Sequence, residues 1–131
     1  MIGVLDYGVG NVGAYLRIFH GQNIPVMPIR SASDFELVDK IILPGVGSFD
    51  SAMRKLNESG LRDALDHTVL KEQKPLLAVC IGMHMLGQSS EEGSLSGLGY
   101  IAGVTKKLTN SFIDKALILP HMGWNDIFMV Q

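Results

Sequence analysis

The chain has 131 residues, of which 47% are apolar and only 18% charged, and its formal net charge is −2. This composition predicts one folded domain, and the lack of a basic surplus argues against a nucleic-acid-binding protein. The single cysteine, Cys80, excludes an internal disulfide framework. Because no segment resembles a signal peptide or has the length of a membrane span, we expect a cytoplasmic protein with no membrane partner.

Apolar runs alternate with helical patterns over the first two thirds of the chain. Four runs predict buried strands: Ile2–Leu5, Ile24–Ile29, Ile41–Leu43 and Leu76–Val79. Apolar side chains at helical spacing predict helices between them, over Val12–Phe19, Phe49–Leu56 and Leu61–Val69. A short helix is predicted after Cys80, through Leu86. Strands that alternate with helices in this way predict a right-handed parallel α/β sheet covered on both faces.

The last third of the chain has a different pattern. A polar, glycine-rich loop is predicted over Gln88–Gly99, followed by antiparallel edge strands over Tyr100–Leu108 and Ala116–Leu119, with a turn at Asn110–Asp114. The apolar segment Gly123–Gln131 has two interpretations. It is either a docked last strand or a sign that the natural chain continues.

The stretch Gly8–Gly13, GVGNVG, matches the glycine fingerprint of a dinucleotide-binding turn. Arg30 follows the second strand, where an NADP-binding protein holds a 2′-phosphate. Two observations count against this hypothesis. Asp6 would place a carboxylate beside the pyrophosphate, and 131 residues supply little more than one mononucleotide-binding half.

Cys80 lies between a buried strand and a short helix, with small residues at Ala78 and Gly82. This is the layout of a nucleophile elbow, in which a sharp turn holds the nucleophile above the carboxyl edge of the sheet. The alternative is a structural cysteine that is simply buried. The sequence therefore marks Cys80 as a candidate nucleophile.

A second turn, Pro44–Gly47, also follows a buried strand and precedes a helix. Backbone N–H groups in such a turn can stabilise a developing oxyanion, although an ordinary turn with Ser48 or Asp50 as the helix cap has the same sequence pattern. Since the carboxyl ends of parallel strands share one sheet edge, we expect this turn near Cys80. Together they suit amide hydrolysis through a thioester.

Five motifs in order resemble one family: DYGVGNV, ILPGVGSFDSAM, VCIGMHML, SSEEGSLSGLG and LPHMGWND. They are similar to the landmarks of the glutaminase (HisH-type) subunit of imidazole glycerol phosphate synthase, a class I glutamine amidotransferase. The resemblance implies a flavodoxin-like α/β fold with three layers and a parallel sheet. It also implies that residues 1–131 are the N-terminal portion of a single glutamine amidotransferase domain that lacks its C-terminal part.

The function implied by the resemblance is hydrolysis of glutamine to glutamate and ammonia. The ammonia passes to a (β/α)8-barrel cyclase subunit in histidine biosynthesis, with no cofactor and no metal. Two alternatives stay open: a paralogous glutaminase that supplies ammonia for surface-sugar (lipopolysaccharide) amidation, and a catalytically incomplete remnant that only binds its partner. The first alternative has the same chemistry with a different acceptor.

The resemblance also implies roles for individual residues. Cys80 matches the nucleophile, and Gly45 and Val46 match the oxyanion turn, with the N–H of Ile81 as a second donor. Glu92 matches an acidic residue that contacts the substrate glutamine. His84 stands where the family has a glutamine that binds substrate, so we expect it to contact substrate or to pack.

Asn11 and Trp124 match positions that face the cyclase subunit. The elbow departs from the family pattern at Ala78, where the family has glycine. The triad histidine and glutamate of the family lie beyond the PHMGWN segment, and His121 matches a histidine that is not the catalytic base. We therefore expect the 131 residues alone to be inactive.

Overall fold

A computed structural model describes residues 1–108, 123–124 and 126–129. Its centre is a parallel sheet of four strands: β1 (Ile2–Leu5), β2 (Val26–Ile29), β3 (Lys40–Gly45) and β4 (Leu76–Cys80). The strand order is β2-β1-β3-β4, which reproduces the first four positions of the flavodoxin-like order. The predicted α/β fold is confirmed.

Helices cover both faces of this sheet. They are α1 (Val12–Gly21), α2 (Phe49–Glu58), α3 (Arg62–Leu70) and α4 (Ile81–Met85), with a 3-10 helix at Ala32–Leu37. Successive strand residues point to opposite faces, so Val4 and Ile42 pack with α1 while Leu5 and Leu43 pack with α2, α3 and α4. The result is a three-layer domain. Among the residues described, no helix has both the length and the apolar character needed to cross a membrane.

The apolar stripe predicted for α2 lies in the larger of the two cores. Phe49, Ala52, Met53 and Leu56 have no solvent-exposed surface, and the Ser48 hydroxyl accepts a hydrogen bond from the Ser51 N–H at 3.4 Å. A serine immediately before a helix stabilises it by satisfying one of its free N–H groups. This cap sets the start of α2 directly after the turn that follows β3.

The segment after α4 differs from its prediction. The expected antiparallel edge strand over Tyr100–Leu108 is wrong, because only β6 (Val104–Thr105) is extended, and it pairs in parallel with β5 (Ser89–Ser90). The backbone here bonds to the end of α4 instead, with the Leu98 N–H 2.7 Å from Met85 O and the Ile101 N–H 2.9 Å from Leu86 O. These hydrogen bonds replace the ladder of a hairpin.

Other differences are smaller. β2 begins at Val26 rather than Ile24, and α4 ends at Met85 rather than Leu86. The predicted strand Ala116–Leu119 and the turn Asn110–Asp114 lie outside the described residues. In the terminal segment, residues 123–124 and 126–129 are exposed and form no strand, so the docked-strand interpretation fails for these residues.

The end of β3 and the start of α4 approach so closely that neither has room for a side chain. The sheet register pairs Gly45 with Cys80. A Cβ atom on Gly45 would overlap the Gly82 nitrogen, and one on Gly82 would overlap the Leu43 carbonyl oxygen and lie 3.2 Å from its carbon. Two glycines therefore permit a backbone contact that any other residue would disrupt.

We expect Gly82→Ala to lower the free energy of unfolding by about 1–3 kcal/mol, because the added methyl group meets backbone that cannot rotate away. The matched control is Gly21→Ala at the end of α1, where no atom lies within 4 Å of the added carbon. Urea denaturation of both variants measures the difference. Equal stability of the two variants would contradict the close contact between β3 and α4.

Candidate active site

Cys80 occupies a sharp turn between β4 and α4. Its backbone has φ 56° and ψ −122°, a left-handed conformation that residues with a Cβ rarely adopt. Such a conformation costs about 1–3 kcal/mol and persists only where the surrounding structure holds it. The elbow predicted from the sequence is present in the fold, and Cys80 is exposed at the carboxyl edge of the sheet.

We expect Cys80→Gly to raise the free energy of unfolding by about 1 kcal/mol relative to Cys80→Ala, because glycine adopts a positive φ without steric cost. Both variants lack the thiol, so the comparison isolates the backbone. Urea denaturation followed by circular dichroism gives both values. A glycine variant that is less stable than the alanine variant would show that the turn stores no strain.

The turn after β3 and the elbow share one cavity of about 360 Å³. Gly45, Val46 and Cys80 line it, and so do the turn before α1 and its first residues: Gly10, Asn11, Ala14, Tyr15 and Ile18. Ile81, the other residue predicted to stabilise an oxyanion, is buried beside Gly45. The structure thus brings together the predicted nucleophile, the predicted oxyanion turn and Asn11.

A tyrosine and a glycine from the first turn of the chain support the β3 turn. The Tyr7 hydroxyl donates a hydrogen bond to Pro44 O at 2.7 Å, and burial raises the pKa of Tyr7, which keeps this donor protonated. Gly10 has φ +91°, and a Cβ on it would lie 2.7 Å from Pro44 Cβ. These contacts hold Pro44, the residue before Gly45, in place.

The same contacts account for the GVGNVG stretch without a nucleotide. The glycine conformation brings the backbone at Gly10 against Pro44. Arg30, the residue considered for a 2′-phosphate, places its Nε 2.8 Å from Asp6 Oδ2. Asp6 and Arg30 therefore neutralise each other, and the stretch serves as a packing turn.

A second cavity, of about 310 Å³, contains the two residues predicted to bind substrate. His84 Nδ1 lies 3.6 Å from Glu92 Oε2, which is an electrostatic contact just beyond hydrogen-bonding distance. Among the described residues, the buried His84 Nδ1 has no hydrogen-bond partner. The other lining residues are Ser90, Glu91, Thr105, Lys106 and Lys107, and Cys80 is not among them.

The two residues predicted to face a partner are both exposed. Asn11 is the N-cap of α1, where its Oδ1 accepts a hydrogen bond from the Ala14 N–H at 3.1 Å. Trp124 is fully exposed. Their role at a partner interface stays a prediction, although Asn11 lines the same cavity as Cys80.

Asp50 has a larger role than the helix cap considered for it. Its carboxylate accepts hydrogen bonds from the Leu95 N–H at 3.0 Å, the Ser94 N–H at 2.9 Å and the Ser94 hydroxyl at 3.0 Å. The N–H groups of Leu95 and Ser94 hold the pKa of the Asp50 carboxyl below its usual value. Sequence spacing gave no sign of this link, because its partners lie more than forty residues away.

Because the pKa of Asp50 is lowered in the folded state, the ionised carboxylate stabilises the fold at any pH above the ordinary carboxyl pKa of about 4. This stabilisation is lost as the pH falls through the pKa that Asp50 has in the folded state. We expect Asp50→Asn to remove that part of the acid dependence. Thermal melts between pH 7 and pH 2 measure it. If the difference in melting temperature between Asp50→Asn and the unchanged chain did not become smaller at low pH, the ionised carboxylate of Asp50 would not be what stabilises the contact with Ser94 and Leu95.

Known proteins resemble this chain in sequence and in fold. The CobB/CobQ-like glutamine amidotransferase domain matches residues 14–117. A crystal structure of a glutamine amidotransferase superposes with a TM-score of 0.63 at 20% identity, over 80% of this chain and 55% of that one, a likeness that concerns the fold alone. The chain therefore belongs to the CobB/CobQ-like glutamine amidotransferase family.

Within that family the chain is similar to the HisH subunit of imidazole glycerol phosphate synthase. It is 47% identical to this subunit from Leptospira borgpetersenii over 127 residues, which are 97% of this chain and 62% of that protein. It is 44% identical to the subunit from Leptospira interrogans over 131 residues, all of this chain and 64% of that protein. The resemblance seen in the sequence motifs is confirmed, and the chain spans less than two thirds of the length of these relatives.

Proposed function

We propose that residues 1–131 are the N-terminal, nucleophile-bearing portion of a glutaminase domain that releases ammonia from glutamine. The observation that carries the proposal is the strained backbone of Cys80, held against Gly45 at the mouth of a cavity. Strain of this kind concentrates at catalytic residues. Membership of the glutamine amidotransferase family supports the choice of reaction.

The reaction begins when the Cys80 thiolate attacks the side-chain amide carbon of glutamine. A carbon–sulfur bond forms, and the amide oxygen takes the negative charge of a tetrahedral intermediate. Backbone N–H groups of the Gly45–Val46 turn and of Ile81 stabilise that charge. The carbon–nitrogen bond then breaks, and the NH2 group leaves as ammonia with the proton that a general base has taken from the Cys80 thiol. Water hydrolyses the resulting thioester to glutamate and restores Cys80.

Glutamine has a second charged end, and the cavity at His84 supplies groups for it. The Glu92 carboxylate pairs with the α-ammonium group of the substrate. His84, which lines the same cavity, provides a further polar contact beside it. Substrate recognition and bond cleavage are thus divided between the loop after α4 and the elbow before α4.

Proton transfer at Cys80 needs a group that the described residues do not place beside it. No histidine lines the Cys80 cavity in residues 1–108. His84 borders the other cavity, and His67 lies on α3 with its Nε2 3.5 Å from Glu72 Oε1. We therefore propose that the base comes from polypeptide equivalent to the further length of the relatives. The chain alone then supports acylation of Cys80 and little turnover.

We also propose that the ammonia passes to a cyclase partner in histidine biosynthesis, with a (β/α)8-barrel fold. The similar proteins are subunits of imidazole glycerol phosphate synthase, which supports this partner class. The cavity at Cys80 also contains Asn11 and the exposed side chain of Ile18. A partner seated on the start of α1 would therefore lie next to the point at which ammonia is released.

The test uses a chloroketone analogue of glutamine, in which an electrophilic ketone replaces the amide. It alkylates a thiolate without a general base. We expect saturable labelling of Cys80 in the 131-residue chain, no labelling of Cys80→Ser, and labelling of Glu92→Gln slowed about tenfold because an ion-paired contact is lost. Intact-protein mass spectrometry follows the modification over time.

Two controls separate recognition from general reactivity. Iodoacetamide, which carries no amino-acid group, should label the Glu92→Gln variant and the unchanged chain at the same rate. Glu58→Gln removes an exposed carboxylate at the end of α2 and should leave labelling by the analogue unchanged. Labelling that does not saturate, or that is equally fast in Glu92→Gln, would contradict a glutamine site at this position.

A further inference from the structure

We propose that Asp50 is a positioning residue, which holds the loop that carries Glu92 in the orientation that binds the α-ammonium group of glutamine. This inference rests on the proposed glutaminase function. Asp50 itself does not contact the substrate. It acts through the backbone of Ser94 and Leu95, so that the carboxylate-bearing loop and the oxyanion turn are parts of one rigid unit.

The link consists of several hydrogen bonds to one carboxylate. Asp50 Oδ1 accepts from the Ser94 N–H at 2.9 Å and from the Leu95 N–H at 3.0 Å, and Oδ2 accepts from the Ser94 hydroxyl at 3.0 Å. Charge-assisted hydrogen bonds of this kind are about twice as strong as neutral ones. Asp50 Oδ2 also accepts from the Ser94 N–H at 3.0 Å, so an amide of the same shape would place a donor against that N–H and would lack the charge that strengthens the set.

The loop also packs directly on the start of α2. A Cβ atom on Gly93 would overlap Asp50 Oδ1 and lie 2.8 Å from Phe49 Cδ1. Phe49 is completely buried, so it cannot move aside. The loop therefore packs on α2 in one position. Because Gly93 has no side chain, the Asp50 carboxylate reaches the N–H groups of Ser94 and Leu95.

Glu92 lies between two fixed points of this loop. On one side, the Glu92 N–H donates to Ser90 Oγ at 3.2 Å, and the Glu91 N–H donates to Thr105 O at 3.0 Å. On the other side, Ser94 is bound by Asp50. Removing the second anchor frees the Glu92 backbone to rotate away from the cavity that it shares with His84.

Asp50 is also connected through α2 to the turn proposed to stabilise the oxyanion. It lies in the first turn of α2, directly after the Ser48 cap and the Gly45–Val46 turn. α2 begins where that turn ends, so its position fixes both the oxyanion turn and the Asp50 carboxylate. The distance between the group that binds the ammonium and the group that stabilises the oxyanion is thus set through Asp50.

The experiment compares Asp50→Asn with Asp63→Asn in the 131-residue chain. Asp63 is the matched control, because it is also an acidic residue in the first turn of a helix, α3, but is exposed and makes no such link. We expect Asp50→Asn to slow labelling of Cys80 by the chloroketone glutamine analogue about tenfold. Asp63→Asn and labelling by iodoacetamide should be unchanged.

Two further measurements show whether the effect passes through Glu92. The same chloroketone without its α-amino group should label Asp50→Asn and the unchanged chain equally fast. The double variant Asp50→Asn/Glu92→Gln should be no slower than Glu92→Gln alone, since coupled residues do not give additive losses. Hydrogen exchange at the Ser94 and Leu95 amides should accelerate in Asp50→Asn and not in Asp63→Asn.

The outcomes separate this inference from the function on which it rests. Saturable, Glu92-dependent labelling that Asp50→Asn leaves unchanged would overturn the role of Asp50 alone. Additive losses in the double variant, or unaltered exchange at Ser94 and Leu95, would overturn it as well. An unchanged chain that shows no saturable labelling by the analogue would overturn both the role of Asp50 and the glutaminase proposal.

Discussion

The site depends on one steric constraint, the contact between the end of β3 and the start of α4. Because Gly45 and Gly82 lack side chains, the backbone of β3 lies directly against the backbone of α4. Cys80 lies beside that contact and has a positive φ, which the surrounding structure must hold. Backbone packing therefore holds Cys80, the residue proposed as the nucleophile, at the carboxyl edge of the sheet.

Hydrogen bonds then hold the segments around the contact between β3 and α4. Tyr7 holds Pro44 from one side, and Asp50 ties the start of α2 to the loop that carries Glu92. The two cavities lie on different parts of this frame, with Cys80 in one and His84 with Glu92 in the other. In the proposed mechanism, the reactive amide of the substrate binds in the first cavity and its charged α-carbon end in the second.

Much of this arrangement could be predicted from the sequence because it depends on local patterns. Apolar runs gave the four strands, and the small residue at Gly82 marked the elbow at Cys80. The link from Asp50 to Ser94 could not be predicted, since it joins residues far apart in sequence through backbone N–H groups. The strand predicted over Tyr100–Leu108 was wrong for a related reason. Its backbone forms hydrogen bonds with the end of α4, and the sequence pattern of the segment does not identify that partner.

The most direct test of the account is a crystal structure of the chain after Cys80 has reacted with the chloroketone analogue of glutamine. The thiolate displaces chloride and the adduct keeps its ketone, and we predict that this ketone oxygen lies within hydrogen-bonding distance of backbone N–H groups from the Gly45–Val46 turn and from Ile81, with the α-ammonium group against Glu92. An adduct whose oxygen faces solvent, with its ammonium group away from Glu92, would contradict a backbone preorganised for glutamine hydrolysis.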